Sequence, residues 1–493
     1  MRQATPGYTT GLNPMKYKKI LLVNPHIPGA YMGPVRPPEG LGYLAESLHL
    51  NGIEYDILDM SLGYKLKDLS ARIKAFGPDL IGITMWTYKY KTAYGLISAI
   101  KNAHPGIPVV AGGAHVSTLR QDVLRDCDTI DFGVTLEGEI TLAELCQGKE
   151  YADIKGLLYR RGSEVLYTGD REYIDNLDSV SFPRFNGFQM KKYFLKEMLI
   201  ISSRGCPYDC IYCPVQMSIG KRLRVRSPKN VVDEVEYWYD KGYRIFNFAD
   251  DNFTFYEERV YGICEEIERR GLSGLDLRCG NGVRADRVNR KLLERMKTAG
   301  FRYIAFGVEA GNNKILANLR KNENIEQIET AIKDACDLGY DVTLFFLAGS
   351  PGEGWQDIED SIHLAKKYQI TDARFYNIIP YPATELFEYV KERNLFLYEP
   401  REYLNNASAF DDVPVFYTPE LSRADRVKAL RILKNVRKGI LNRALKRKLR
   451  PFGIIGKIAA ILFSTYFGQL LMRRNMIIRR IAEIVRYRLG RRT

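Results

Sequence analysis

The sequence predicts an α/β chain: a doubly wound parallel sheet, then a partial (β/α)6 barrel, then a basic helical tail. Three observations carry this. Short apolar runs alternate with amphipathic stretches from about residue 18 to 150, and again from about 196 to 390, which is how parallel strands joined by helices read. Over 151–195 that rhythm breaks into polar turns and an extended run with a proline. From 391 to 493 the pattern is helical, and it turns strongly basic near the end. A chain of 493 residues has room for two or three domains.

The first series, 17–150, opens with the buried strand "KKILLVN". The helical "EGLGYLAESLHLNG" follows and closes on Gly52. Then come strand "EYDILDM", helix "LKDLSARIKAFG", strand "DLIGITMW" and a helix over about 90–103. "PVVAGGAH", a helix near Leu119, "DFGVT" and "EITLAELC" complete five βα units. Such sheets hold ligands beyond the carboxyl ends of their strands. In 151–195, "GLLYRRGSEVLYTGDREYI" reads as a hairpin and "NLDSVSFPRF" as an extended linker. The second series, 196–390, has strands at "EMLIIS", "YRIFNFAD", "LDLRCG", "YIAFGVE", "VTLFFLAG" and "ARFYNII". Barrels of this kind gather their chemistry at the carboxyl ends of the strands.

Composition narrows the class. With 45% hydrophobic and 27% charged residues and no low-complexity tract, the chain is globular. Met1–Asn13 lacks the apolar run of a secretory signal, and 1–16 reads as a flexible tail. The net charge of +14 is uneven: Lys434–Thr493 holds 17 Lys and Arg against one acid, Glu483, so the remainder carries −2. A nucleic-acid groove on the body is therefore not expected. Five of the eight cysteines, Cys127, Cys146, Cys264, Cys279 and Cys336, are scattered singly. That is no disulfide framework, and it points to a reducing cytoplasm, where clustered cysteines bind metal.

The other three, Cys206, Cys210 and Cys213, lie in "SSRGCPYDCIYCPV", just after the first strand of the second series. Gly205 and Pro207 make this a loop that can turn its thiolates toward one centre. Zinc sites favour four ligands in paired arms, and no second arm follows; a zinc loop or chance clustering remains the alternative. Three thiolates would hold three irons of a cubane and leave the fourth open, as a catalytic metal site requires.

This CxxxCxxC loop, with Tyr212 before its last cysteine, resembles the signature of the radical S-adenosylmethionine enzymes. The resemblance implies a 4Fe-4S cluster on Cys206, Cys210 and Cys213. Its open iron would chelate S-adenosylmethionine and deliver the electron that yields a 5′-deoxyadenosyl radical. It places Tyr212 near the adenine. Downstream, "FADDNFT" offers Asp250 and Asp251, "NGVRAD" Arg284 and Asp286, and "GVEAGNNKIL" Glu309. By resemblance Asp250, Arg284 and Glu309 contact the cofactor, since carboxylates accept from hydroxyl or ammonium groups and guanidinium clamps carboxylate. Rim ion pairs are the alternative for each. The glycine turn "LAGSPGEG" and "PYPATELF" end the fifth and sixth strands.

The first series resembles the flavodoxin-like, cobalamin-binding domain that precedes the barrel in one radical enzyme subfamily. The pieces are "NPHIPGAYMGPVRPPEGLGYLA", "VVAGGAHVS" and "GVTLEGEITLAEL". The resemblance implies bound cobalamin near Asn24, Thr84, Gly112, Gly113, His115 and Gly138. Glycines at 112 and 113 would let a flat macrocycle approach the backbone. The DxHxxG loop of histidine-ligated cobalamin proteins is matched only by His26 and Gly29; Asn24 replaces the Asp that would orient the imidazole. His26 is therefore not expected to ligate cobalt.

In the tail, 15 uncharged residues lie between Lys457 and Arg473, flanked by Lys and Arg on both sides. A spanning helix needs about 20. The expectation is peripheral attachment to the inner face of the cytoplasmic membrane. The whole implies an enzyme that methylates a hydrophobic lipid, isoprenoid or tetrapyrrole, or cyclises or rearranges it, supplied by an external electron donor of the flavodoxin or ferredoxin type. A radical enzyme for RNA or protein, and a cobalamin or iron–sulfur sensor without turnover, are the rivals.

Overall fold

The computed structural model describes residues 15–26, 36–193, 195–474 and 478. The first sheet is assembled from β1 (Lys19–Asn24), β2 (Glu54–Asp59), β3 (Leu80–Thr84), β4 (Val109–Gly112) and β5 (Phe132–Val134), all parallel. Ile20, Leu21, Leu22 and Val23 of β1 are all buried, as helices on both faces require. Those helices are α1 (Glu39–Leu50), α2 (Leu66–Phe76), α3 (Tyr90–Ala103), α4 (Ala114–Leu119), α5 (Gln121–Asp126) and α6 (Gly138–Cys146). The strand order 2-1-3-4-5 is the flavodoxin-like one, whose winding reverses between β1 and β3.

Two parts of the expected division differ. The hairpin assigned to the linker, β6 (Leu157–Arg161) and β7 (Glu164–Tyr167), extends the first sheet by two antiparallel strands. Leu157 and Leu158 are fully buried and cover the edge that β5 would otherwise expose. At the start of the chain, Lys16 and Tyr17 donate their N–H groups to Cys146 O at 2.9 and 3.1 Å, so order begins ahead of residue 17. Residues 1–14 of the expected flexible tail, and 475–477 and 479–493 of the basic tail, lie outside the described residues.

The remaining linker glues the two halves. Phe185 is buried and packs against Trp238 with ring centroids 5.8 Å apart, and Tyr193 donates to Asp59 at 2.9 Å. One continuous core runs through both sheets.

The second sheet holds β8 (Glu197–Ile200), β11 (Ile245–Phe248), β12 (Asp276–Val283), β13 (Phe301–Glu309), β14 (Asp341–Ala348) and β15 (Asp372–Asn377), parallel and in sequence order. It is a six-stranded partial barrel with β8 and β15 as its edges. A short pair, β9 (Ser203–Arg204) and β10 (Arg224–Val225), stands at its mouth, with α7 (Val215–Ile219) between them. The outer helices are α8 (Pro228–Asp240), α9 (Glu257–Arg269), α10 (Arg290–Ala299), α11 (Asn313–Asn318), α12 (Ile325–Asp337) and α13 (Trp355–Lys367). Ser227, Asn289, Asn312 and Asn324 cap four of them by accepting from backbone N–H groups.

The C-terminal region is helical: α14 (Glu385–Glu392), α15 (Pro400–Asn405), α16 (Arg423–Lys448), α17 (Gly453–Ser464) and α18 (Tyr466–Arg474). α16 covers the edge strand β15. Its Arg437 donates to both carboxylate oxygens of Asp372 at 3.0 Å, and its Ala429, Leu430 and Leu433 pack on Ala348 and Ile358.

Candidate active site between the sheet and the barrel

The cysteine loop leaves the carboxyl end of β8. Gly205 makes its first turn at φ +101°, and a Cβ there would lie 2.1 Å from the Arg222 carbonyl oxygen, so only glycine fits. Cys206 N–H donates to Gly220 O at 3.0 Å. Ile211 N–H donates to Leu319 O at 3.2 Å, and Leu386 N–H to Ile211 O at 2.9 Å. These bonds sew the loop to the end of α11 and the start of α14.

Cys206, Cys210 and Cys213 are half-buried and unbridged. Asn252, in the loop after β11, donates to Cys206 Sγ at 3.2 Å. Burial pushes the Cys213 thiol up to about 12, reinforced by its two neighbours. Burial raises Cys210 too, against the pull of nearby Lys321. Thiolates crowd in such a place only when a cation neutralises them. Among the described residues no three His, Cys, Asp or Glu converge as ligands of one metal ion. Cys127, Cys146, Cys264 and Cys279 are buried elsewhere in the cores, so these three thiols suit a cluster that leaves one iron open better than a four-ligand zinc site.

Asp250 differs from its expected place. Its Oδ1 accepts from the Ser202 and Ser203 N–H groups at 2.7 Å each, and its Oδ2 from the Ser202 hydroxyl. Arg259 donates to that hydroxyl oxygen at 2.9 Å. Asp250 therefore holds the root of the cysteine loop, and its neighbour Asp251 lines the chamber between the sheet and the barrel, accepting from the Asn281 amide at 3.2 Å. Burial, then the Asp250 charge, push the Asp251 carboxyl up to about 6.

Arg284 is engaged as well. It donates to Asp286 at 2.9 and 3.2 Å, to Lys321 O at 2.7 Å and to Asn322 O at 3.0 Å, and it stacks 3.7 Å from the Tyr208 ring centroid. It braces the segment between α11 and α12 instead of presenting a free fork.

Glu309 ends β13 at φ +65°, an unusual conformation for a residue with a side chain. The register with β14 shifts between Gly307 and Glu309, which turns the carboxylate toward the barrel mouth. Lys321 Nζ lies 3.2 Å from Glu309 Oε1 and 3.5 Å from Glu323. Tyr212 lies beside Glu309, and burial, reinforced by the Glu309 charge, keeps its hydroxyl protonated. Tyr212, Glu309, Lys321 and Cys210 thus form one buried group. The sequence offered no local cue for Lys321, which reaches Glu309 only because α11 folds back.

On the other side lies a cavity of about 320 Å³, between the carboxyl ends of the first sheet and the barrel mouth. Leu22, Gly82, Ile83, Thr84, Val110, Gly112, Gly113, Val134 and Gly138 form its floor, and Ser203, Arg204, Ala249 and Asp251 its roof. Four expected cobalamin contacts, Thr84, Gly112, Gly113 and Gly138, are brought together here. An apolar, glycine-rimmed chamber fits a flat macrocycle. A Cβ on Gly112 would meet nothing closer than 3.6 Å, whereas one on Gly113 would meet Met85 O at 2.7 Å. Gly113 thus serves the packing of α4 against β3.

Asn24 and His115 do not line this chamber. Asn24 donates to Asp59 at 2.8 Å. His115 is fully buried beside α3, stacked on Tyr90 with centroids 4.7 Å apart and hydrogen-bonded to Tyr94 at 3.1 Å. Burial lowers its imidazole to about 4. His26 is exposed, and Gly29 lies outside the described residues.

Charge bridges the two halves beside the chamber. Glu137 and Glu139 flank Gly138 at the start of α6. Arg204, two residues before Cys206, donates to Glu137 at 3.0 Å and to Glu139 at 2.7 Å. Arg224 on β10 also donates to Glu137, and the three side chains are nearly buried. Neither acid is among the site residues expected from the sequence; the pair flanking Gly138 in "LEGE" is the local signal that could have found this bridge.

Residues 25–146 match the B12 binding domain and residues 200–365 the Radical SAM superfamily. The chain is 33% identical over 395 residues, 78% of it and 85% of the relative, to an uncharacterised methyltransferase of Pyrococcus horikoshii. It is 27% identical over 478 residues, 91% of it and 83% of the relative, to the anaerobic magnesium-protoporphyrin IX monomethyl ester cyclase of Rubrivivax gelatinosus. In fold it is similar to the radical S-adenosylmethionine methyltransferase TsrM of Kitasatospora setae, solved with cobalamin and a [4Fe-4S] cluster. There the TM-score is 0.71 at 19% identity, covering 84% of this chain and 91% of that one. In this chain the B12-type sheet and the radical-type barrel meet where the three-cysteine loop faces the glycine-rimmed chamber. The chain belongs to the cobalamin-dependent radical S-adenosylmethionine enzymes, whose cofactors are a 4Fe-4S cluster, S-adenosylmethionine and cobalamin.

Proposed function

We propose that this enzyme transfers a methyl group to carbon of a hydrophobic substrate, a lipid, isoprenoid or tetrapyrrole met at the membrane. The observation that carries it is the shared chamber: its floor belongs to the cobalamin-type sheet, and its roof, Ser203 and Arg204, leads within two residues to Cys206. When bound, the cluster supplies the electron that splits S-adenosylmethionine to a carbon radical, and cobalamin supplies the methyl group. The protein's part is to hold, orient and exclude water.

In this reading Cys206, Cys210 and Cys213 hold the cluster, and the Asn252 donor tempers the Cys206 sulfur. Glu309 accepts from hydroxyl or ammonium groups of S-adenosylmethionine, steadied by its pairing with Lys321 and aimed by its left-handed backbone. Tyr212 packs against that cofactor. Thr84, Gly112 and Gly138 meet the macrocycle. Asp250 and Arg284 act from behind, as braces of the loops that carry these groups. The family draws on an external reductant and a small-molecule substrate; a flavodoxin or ferredoxin suits the first role.

Ring closure is the second reading, favoured by the cyclase relative that spans 91% of the chain. The test is anaerobic turnover of reconstituted enzyme with methyl-labelled S-adenosylmethionine and membrane lipid extract. Label in an extractable product supports methyl transfer. Deoxyadenosine with an unlabelled product supports ring closure.

A further inference from the structure

Helix α17 is built inside out. Its buried positions are Gly456, Ala460 and Ser464, all small and four residues apart. A Cβ on Gly456 would lie 2.1 Å from the Leu449 carbonyl oxygen, so this face lies flat on the turn that ends α16. The large apolar residues point the other way. Ile454, Ile455, Ile458 and Ile461 are 75%, 77%, 61% and 53% exposed, and Phe467 on α18 is 66% exposed. At about 100° per residue, Ile454, Ile455, Ile458, Ile461 and Leu462 share one arc opposite Gly456 and Ala460. A helix that faced only water would turn that arc inward.

The surroundings say what covers the arc. Arg443 and Lys446 on α16, Arg450 in the turn and Lys457 on α17 itself are exposed, and from Arg426 to Arg474 the sequence holds no acid. A second copy of the chain would bring these cations face to face. An anionic lipid surface neutralises them and takes the isoleucines. α17 is 12 residues long, about 18 Å at 1.5 Å per residue, and no described helix is long and apolar enough to cross a membrane. The geometry points to α17 lying in the plane of an anionic membrane as the enzyme's docking surface. α16 carries this foot rigidly on the edge strand β15, through the Arg437–Asp372 pair. The membrane-facing helix holds for methyl transfer and for ring closure alike.

The test is flotation of the full-length protein with phosphatidylglycerol–phosphatidylcholine vesicles and with pure phosphatidylcholine vesicles. Partitioning onto the anionic vesicles should fall at least tenfold in the Ile454→Glu, Ile458→Glu double variant. It should be unchanged in Leu66→Glu, a comparably exposed leucine on the first domain, and should weaken with salt. Equal retention of the double variant would overturn the inference. So would concentration-dependent dimerisation that the double variant abolishes while vesicle binding stays nil.

Discussion

The Glu137 carboxylate receives Arg224 Nη1 at both of its oxygens, at 2.8 and 2.9 Å. The two residues come from different halves of the molecule. Arg204, on the strand that leads into the cysteine loop, joins them at 3.0 Å. The loop that rims the cobalamin-type chamber is thus bolted to the segment that positions the cluster. Removing Glu137 would leave Arg224 buried and unpaired, which costs about 3–5 kcal/mol. The milder Glu137→Gln keeps one acceptor. Cofactor-free Glu137→Gln should keep its fold but exchange amide hydrogens faster over 203–206 and 222–226, measured by mass spectrometry. Unchanged exchange would show the bolt to be redundant.

Glu309 and Lys321 should act as one unit. Loss of a charge-assisted hydrogen bond is worth about 1.5–3 kcal/mol, roughly 10- to 100-fold in affinity. Glu309→Gln and Lys321→Met should each weaken S-adenosylmethionine binding to cluster-loaded protein by that amount, with iron content unchanged. The double variant should lose little more than either single one.

The neighbouring aspartates should separate cleanly. Asp250 is buried, with both oxygens taken by Ser202 and Ser203. Asp250→Ala should destabilise the cofactor-free protein by about 3 kcal/mol or more in chemical denaturation. Asp251→Asn, on the chamber wall, should leave stability within about 1 kcal/mol.

His115 should make the fold acid-sensitive. Burial lowers its imidazole from 6.5 to about 4, so the unfolded chain binds more protons between those values. Its contribution is fully present above pH 6.5 and is lost as pH falls toward 4. Between pH 7 and 5 that loss is about 2 kcal/mol. His115→Phe keeps the stack on Tyr90 and should lose about that much less stability than the parent over the same interval.

The order of strands was legible because buried parallel strands and amphipathic helices alternate without ambiguity. The hairpin over 157–167 was legible as a hairpin, yet its partner was not, since pairing with β5 is a long-range choice. The cysteine loop announced itself by spacing. Asp250 and Asp251 show the limit: successive residues at a strand end point to opposite sides, and which side is the chamber depends on register. Arg284 could not be told from a ligand clamp because its partners, the carbonyls of Lys321 and Asn322, are 37 and 38 residues away. Lys321 was invisible for the same reason. The tail's charge was plain, but only the packing of Gly456 and Ala460 showed which side of α17 faces outward.

Cys206, Cys210 and Cys213 should hold a cluster with one iron left for S-adenosylmethionine. The most direct measurement is 5′-deoxyadenosine formed per cluster by anaerobically reconstituted, dithionite-reduced protein. Formation should be steady in the parent, vanish in Cys206→Ala, Cys210→Ala and Cys213→Ala alike, and persist in Cys264→Ala and Cys279→Ala. A four-iron protein that leaves S-adenosylmethionine intact, or one whose cleavage survives loss of Cys213, would contradict it.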